Sequence, residues 1–309
     1  GNGDFIAVKA PGLIDGAVSN RLLEPAELTR LAPDVVVYQR QTKPESIENM
    51  ARSKRFSSTF KVYELDDYLP NTPIKNAHRA TLSKDLVKLL RKGLSHVDRF
   101  VVSTPALANA LSDYHPDIRV IENRLPLDWW GQLEIVRKPS LKPRVGWAGG
   151  VGHQGDLELI ADVVRDLAGE VDWVFFGMCP DRLKPYMTEF YPGVDIELYP
   201  QKLAELNLDL ALAPLEDNLF NACKSNLRLL EYGVCGFPVI ASDIECYRGN
   251  LPVTLVKNRY RDWMDAVRGQ LADREALQAS ARALQNAVMQ EWMLTGSNLE
   301  QWRSVWLPD

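Results

Sequence analysis

The chain has 309 residues, 46% of them hydrophobic and 25% charged, enough for two packed cores and without the bias that marks disorder, collagen or a disulfide scaffold. Lys and Arg number 36 against 41 Asp and Glu, a net charge of −5, which argues against a protein that coats nucleic acid, since phosphate-backbone affinity needs clustered cations. The four cysteines form no CxxC pair and the four histidines are scattered, so reduced thiols, no metal site and a cytosolic setting are expected; no apolar run reaches the ~18 residues that span a bilayer, leaving peripheral contact at the inner face of a membrane.

Gly1-Asn2-Gly3-Asp4 runs straight into the strand-like Phe5-Ile6-Ala7-Val8, the opening expected of a piece cut from a longer polypeptide, with the first strands of its first domain missing. Apolar runs rich in β-branched and aromatic residues follow at 5–9, 35–39, 61–65, 99–103 and 118–122. Helical patterns between them predict βαβ units feeding a parallel sheet. Between Ser83 and Val97, Leu86, Leu89, Leu90, Leu94 and Val97 recur at helical spacing, as an amphipathic helix on a sheet requires. Prolines at 126, 139 and 143 then break the periodicity, and 123–143 is expected to link two domains, with the boundary near 138.

A second series of strand-like runs lies at 144–148, 171–176, 194–198, 208–213, 238–241 and 253–256, with helices expected over 156–167, 182–190 and 226–234. The chain closes on helical patterns over 284–293 and 299–306, where Trp292, Trp302 and Trp306 are packing anchors. The expected fold class is therefore α/β, with two open, doubly wound sheets.

In such sheets ligands bind beyond the carboxyl ends of the strands. Gly149-Gly150-Val151-Gly152-His153 is one such loop: glycines let backbone approach a phosphate, and a helix start adds free N–H groups. It is not GxGxxG, and no acidic residue closes the next strand, which disfavours a nicotinamide enzyme. A second loop leads from Pro214 through Lys224 and Ser225 into the helix carrying Arg228 and Glu231. There a point charge, a hydroxyl and backbone N–H groups can together hold a diphosphate. A third is Tyr199-Pro200-Gln201. In the first half, Glu64, Asp66 and Asp67 close one strand and Arg40 closes another.

These segments resemble, in order, GT-B glycosyltransferases of the retaining family-4 kind, particularly bacterial surface-polysaccharide enzymes. The likeness rests on Val62-Tyr63-Glu64-Leu65-Asp66-Asp67, Val102-Ser103-Thr104-Pro105-Ala106-Leu107 and Val120-Ile121-Glu122-Asn123. It continues through Gly146-Trp147-Ala148-Gly149-Gly150 with His153 and Asp156-Leu157, and through Ala213–Ser242, and so covers most of 35–245. It implies a GT-B fold, two Rossmann-like domains facing a cleft: 1–138 on the acceptor side, 139–290 for the nucleotide sugar, and 291–309 a helix packing back toward the first domain.

The resemblance further implies transfer of a sugar, with retention, from a nucleotide-diphosphate donor (UDP, GDP or dTDP type) to a saccharide or lipid-linked acceptor in polysaccharide or glycan biosynthesis. No cofactor or metal is required in that reading. Gly149, Gly150, Lys224, Ser225 and Arg228 would surround the diphosphate, Asn221 would belong to the donor site, Glu231 would accept from the ribose hydroxyls, and Tyr199 would lie at the base. Asp66 and Asp67 would position or deprotonate the acceptor hydroxyl, and His153 and Lys224 complete the catalytic set. One departure stands out: eight residues before Glu231, where many members carry a sugar-contacting glutamate, this chain has Cys223. Glu216, Asp217 and Asn221 are open as substitutes. Two other readings also stay open, a sugar-nucleotide epimerase of the same architecture and a non-catalytic nucleotide-sugar-binding module of a larger protein.

Overall fold

The computed structural model describes residues 5–10, 14–19 and 21–309. The chain divides into two compact units: one runs through Pro70 and adds Leu82–Glu122 and Leu299–Asp309, the other comprises Asn71–Thr81 and Asn123–Asn298. It is an α/β protein with two parallel sheets, of four and six strands, and a separate hairpin.

In the first unit, β1 (Phe5–Ala10) pairs antiparallel with β2 (Ile14–Ser19). The expectation that Phe5 opens the parallel sheet is therefore corrected. A connection of only three residues suits a hairpin, whereas a parallel pair needs a crossover of a dozen or more. β3 (Val35–Gln39), β4 (Phe60–Leu65), β5 (Arg99–Val102) and β6 (Ile118–Val120) form a parallel sheet in that order. Tyr63 and Phe100, both fully buried, meet edge to face across it. Val305 and Trp306, from the closing helix Gly296–Trp306, pack on Val62, Val101 and Ile121. Arg99, only 2% exposed, fastens that end by bonding Asp117, Asp309 and the carbonyl oxygens of Val305 and Leu307.

In the second unit, β7 (Arg144–Ala148), β8 (Asp172–Gly177), β9 (Glu189–Pro192), β10 (Leu210–Ala213), β11 (Val239–Ser242) and β12 (Thr254–Val256) run parallel in the order β12-β11-β10-β7-β8-β9. Alternate residues feed opposite cores: Val145, Trp147, Trp173, Phe175 and Leu210 one, Ala148, Val174, Phe176, Ala211 and Val239 the other. Both faces are covered, which explains the near-continuous apolar strands.

Four sequence expectations change here. The strand expected at 194–198 is β9, at Glu189–Pro192, and the helix expected over 182–190 is a single 3-10 turn, Lys184–Tyr186. Prolines 180 and 185 interrupt a helix there, while Phe190 and Tyr191 favour the edge strand. The helix over 156–167 is two, Gln154–Glu158 and Ala161–Leu167. The stretch expected as a linker belongs to the second unit from Asn123 onward: Leu125 and Trp130 lie in its core, and Leu125 bridges to Met293.

Candidate nucleotide-sugar site

Strand order places the topological switch point of the second sheet between β7 and β10, since β8 and β9 continue to one side and β11 and β12 to the other. Loops leaving the carboxyl ends of those two strands diverge and leave a crevice. Gly149 follows β7, and its N–H donates to Phe176 O at 3.0 Å. A Cβ on Gly149 would stand 2.8 Å from the Arg228 guanidinium, and one on Gly177, whose φ is +91°, would strike Gly149 O. The two backbones touch because neither carries a side chain.

Across this floor runs a chain of polar contacts. Asp156, 4% exposed, accepts from Glu216 N at 2.7 Å and Asn221 Nδ2 at 2.9 Å through Oδ1, and from His153 Nδ1 at 2.7 Å through Oδ2. His153 Nε2 lies 3.0 Å from Arg228 Nη2. A carboxylate only accepts and a guanidinium only donates, so His153 is the neutral tautomer with its proton on Nδ1. Burial, then the Arg228 charge, push its pKa down to about 4. Expected among the catalytic residues, His153 has both ring nitrogens engaged, and its geometry is that of a support for Arg228. The guanidinium also donates to Ala148 O and lies over the Trp147 ring, 4.9 Å from its centroid.

The Leu227–Val234 helix, with Asn226 at its N-cap, carries Arg228 and Glu231 one turn apart. Tyr232 from the same helix accepts from Ala148 N at 2.8 Å, fixing the helix to the end of β7. Burial pushes the Glu231 carboxyl up to about 7, against the opposing pull of Arg228 and the Tyr199 hydroxyl, which donates to Oε2 at 3.0 Å. Tyr199 is not in a loop after a strand as expected; it opens the helix Tyr199–Ala204. Its ring stacks on Phe176 at 5.5 Å and meets Trp130 edge-on at 5.9 Å, so it holds Glu231.

Lys224 Nζ sits 4.6 Å from the centre of the Phe220 ring, and Ser225 Oγ accepts from Asn123 Nδ2 at 2.9 Å. Both immediately precede the helix N-cap. Asn221, expected to contact the donor, is 2% exposed and bonds Asp156 and Glu216 O. Gly150 faces open space. Cys223 is fully buried. Asp156, Trp147 and Tyr232 are the parts of this arrangement the sequence reading did not name as site residues, although all three lie in the segments that carry the resemblance.

The four-stranded sheet gathers a second cluster at its carboxyl edge. Arg40 follows β3 in a left-handed conformation (φ 49°), donates its N–H to Glu64 O at 3.0 Å and approaches Asp67 at 3.9 Å. Ser103 Oγ donates to Asp66 O at 3.1 Å. Burial, then the Asp66 charge, push the Glu64 carboxyl up to about 7.

The sequence matches no protein-family model and no curated protein. Solved structures do match. A TarM variant from S. aureus, in complex with fondaparinux, α-GlcNAc-glycerol and UDP, is 16% identical with TM-score 0.62, covering 91% of this chain and 58% of its own. Sucrose-phosphate synthase from Thermosynechococcus elongatus is 15% identical with TM-score 0.68, covering 90% and 74%. Anabaena HepE in complex with UDP and glucose is 13% identical with TM-score 0.64, covering 91% and 80%. This chain thus spans little more than half the length of TarM and about three quarters or more of the others. Two parallel sheets and these likenesses define the GT-B glycosyltransferase fold.

Proposed function

We propose that the chain transfers a sugar from a nucleotide diphosphate to a saccharide or lipid-linked acceptor, with retention and without a metal. The observation that carries this is the meeting, at the β7/β10 switch point, of the glycine loop, the anchored Arg228 and a helix start preceded by Lys224 and Ser225. Preorganised cations and N–H groups stabilise a departing diphosphate in the way a metal does elsewhere. Complexes of similar folds with UDP and with UDP-glucose support the donor class. Glu231 then accepts from pentose hydroxyls, and Asp66 and Asp67 with Arg40 orient the acceptor. No helix among the described residues is long and apolar enough to cross a membrane; action in the cytoplasm, at a membrane face when the acceptor is lipid-linked, is consistent with that.

The test is a thermal-shift screen of UDP-, GDP- and dTDP-sugars followed by transfer assays with the best donor. A ligand that binds the native state raises the melting temperature by mass action. Lys224→Ala removes a charge-assisted contact and is expected to weaken nucleotide binding about ten-fold or more. Turnover lost in chelator and restored by manganese sinks the metal-free part. Donor binding without any transfer or epimerisation leaves the non-catalytic reading, to which the buried Cys223 lends support.

A further inference from the structure

The loop that leaves β11, the strand beside β10, turns at once through the 3-10 helix Glu245–Tyr247. This turn is closed on itself: Tyr247 N–H donates to Ile244 O at 2.9 Å, and the Arg248 guanidinium donates to Asp243 Oδ1 at 2.7 Å. The direction of the Tyr247 side chain is therefore set before any ligand arrives. Its residue is only 4% exposed and lies in the same core as Tyr232 and Ile244.

The hydroxyl is the exception to that packing. Among the described residues the Tyr247 side chain makes no hydrogen bond, and its oxygen, unlike the sealed indole N–H of Trp147, keeps access to solvent. A tyrosine buried to this degree has a partner for its O–H as a rule. Arg228 presents the matching anomaly: half-buried, it enters no ion pair among the described residues, and its partners Ala148 O and the neutral His153 Nε2 carry no charge. Burial, opposed by the pull of Arg228, pushes the Tyr247 pKa well above its ordinary value, and Asp156 and Tyr232 act on it too. The hydroxyl thus belongs with the groups of the crevice floor and stays a donor. A donor without an acceptor beside a cation without a counter-ion is the pair that an anion completes.

We propose that the Tyr247 hydroxyl, supplied by the loop after β11, donates to the donor's diphosphate alongside Arg228. The inference rests on the nucleotide-sugar reading of the second unit, and its test separates the two. Calorimetry on the full chain measures UDP, GDP and dTDP, then UDP-glucose, GDP-mannose and dTDP-glucose, for wild type and for Tyr247→Phe. The variant should bind the preferred nucleoside diphosphate about ten-fold more weakly, the loss of one hydrogen bond to a charged group, and the matching sugar nucleotide more weakly by the same factor. Its melting temperature without ligand should equal or exceed that of wild type, because the hydroxyl removed has no partner in the protein. A hydroxyl that served only the fold would lower stability instead.

Failure of wild type to bind any of the nucleoside diphosphates defeats the site reading and the inference with it. Nucleotide affinity unchanged in Tyr247→Phe overturns the role of Tyr247 alone, and so does a loss confined to the sugar nucleotide, which puts the hydroxyl on the sugar ring. A variant that melts below wild type assigns the hydroxyl to the fold and overturns the role equally.

Discussion

Glu231 illustrates how one side chain couples environment to function. Its carboxyl, raised to about 7 by burial, is mostly protonated at pH 6 and mostly ionised at pH 8. Only the ionised form accepts from two vicinal hydroxyls with both oxygens. Nucleotide affinity should therefore rise roughly ten-fold from pH 6 to pH 8, as expected when binding requires a carboxylate of that pKa. Glu231→Gln provides the control, because titration of the nucleotide phosphate remains in it while the residue's own contribution vanishes; equal slopes for the two proteins in a pH series of calorimetric titrations would show that Glu231 does not touch the ligand. His153 has the opposite displacement. Its pKa of about 4 keeps it neutral throughout this range, so it contributes no slope of its own.

At the level of elements, the close approach of the β7 and β8 ends decides whether the crevice floor exists. Gly177 adopts a left-handed φ of +91°, and a methyl group there meets Gly149 O. Gly177→Ala combines backbone strain with a steric clash and should cost at least about 2 kcal/mol, measured by urea unfolding. The shift should spread to ligand binding, since Gly149 carries the loop that faces Arg228. A variant as stable as wild type would mean that the loop relaxes freely and that the contact does not define the site.

For the whole molecule, two units with their own cores share one chain whose ends cross between them in sequence. The last residues, Leu299–Asp309, complete the first unit, where Val305 and Trp306 cover Val62, Val101 and Ile121 and Arg99 loses its carbonyl partners without them. Deleting 299–309 should lower the first unit's melting transition by several degrees and leave the nucleotide-induced shift of the second intact. Loss of both together in a calorimetric scan would show that nucleotide binding depends on the first unit's integrity.

The alternation of β-branched runs with 3.6-residue periodicity was enough to give the α/β class and most strands, because parallel strands buried on both faces leave an apolar signal that needs no partner to be read. Glycine and proline positions likewise marked where strands end at Ala148 and Ala213, but not the 3-10 turn Val151–His153 or the short helix Leu219–Ala222 that follow. Pairing was not legible: β1 and β2 form a hairpin and the edge strand sits at 189–192 rather than 194–198, since an edge is chosen by its neighbour. Nor could the sequence say that His153 would be consumed by Asp156 and Arg228, or that Tyr199 would hold Glu231. Those outcomes depend on contacts between residues tens of positions apart, and only the folded chain brings their hydrogen-bonding capacity together.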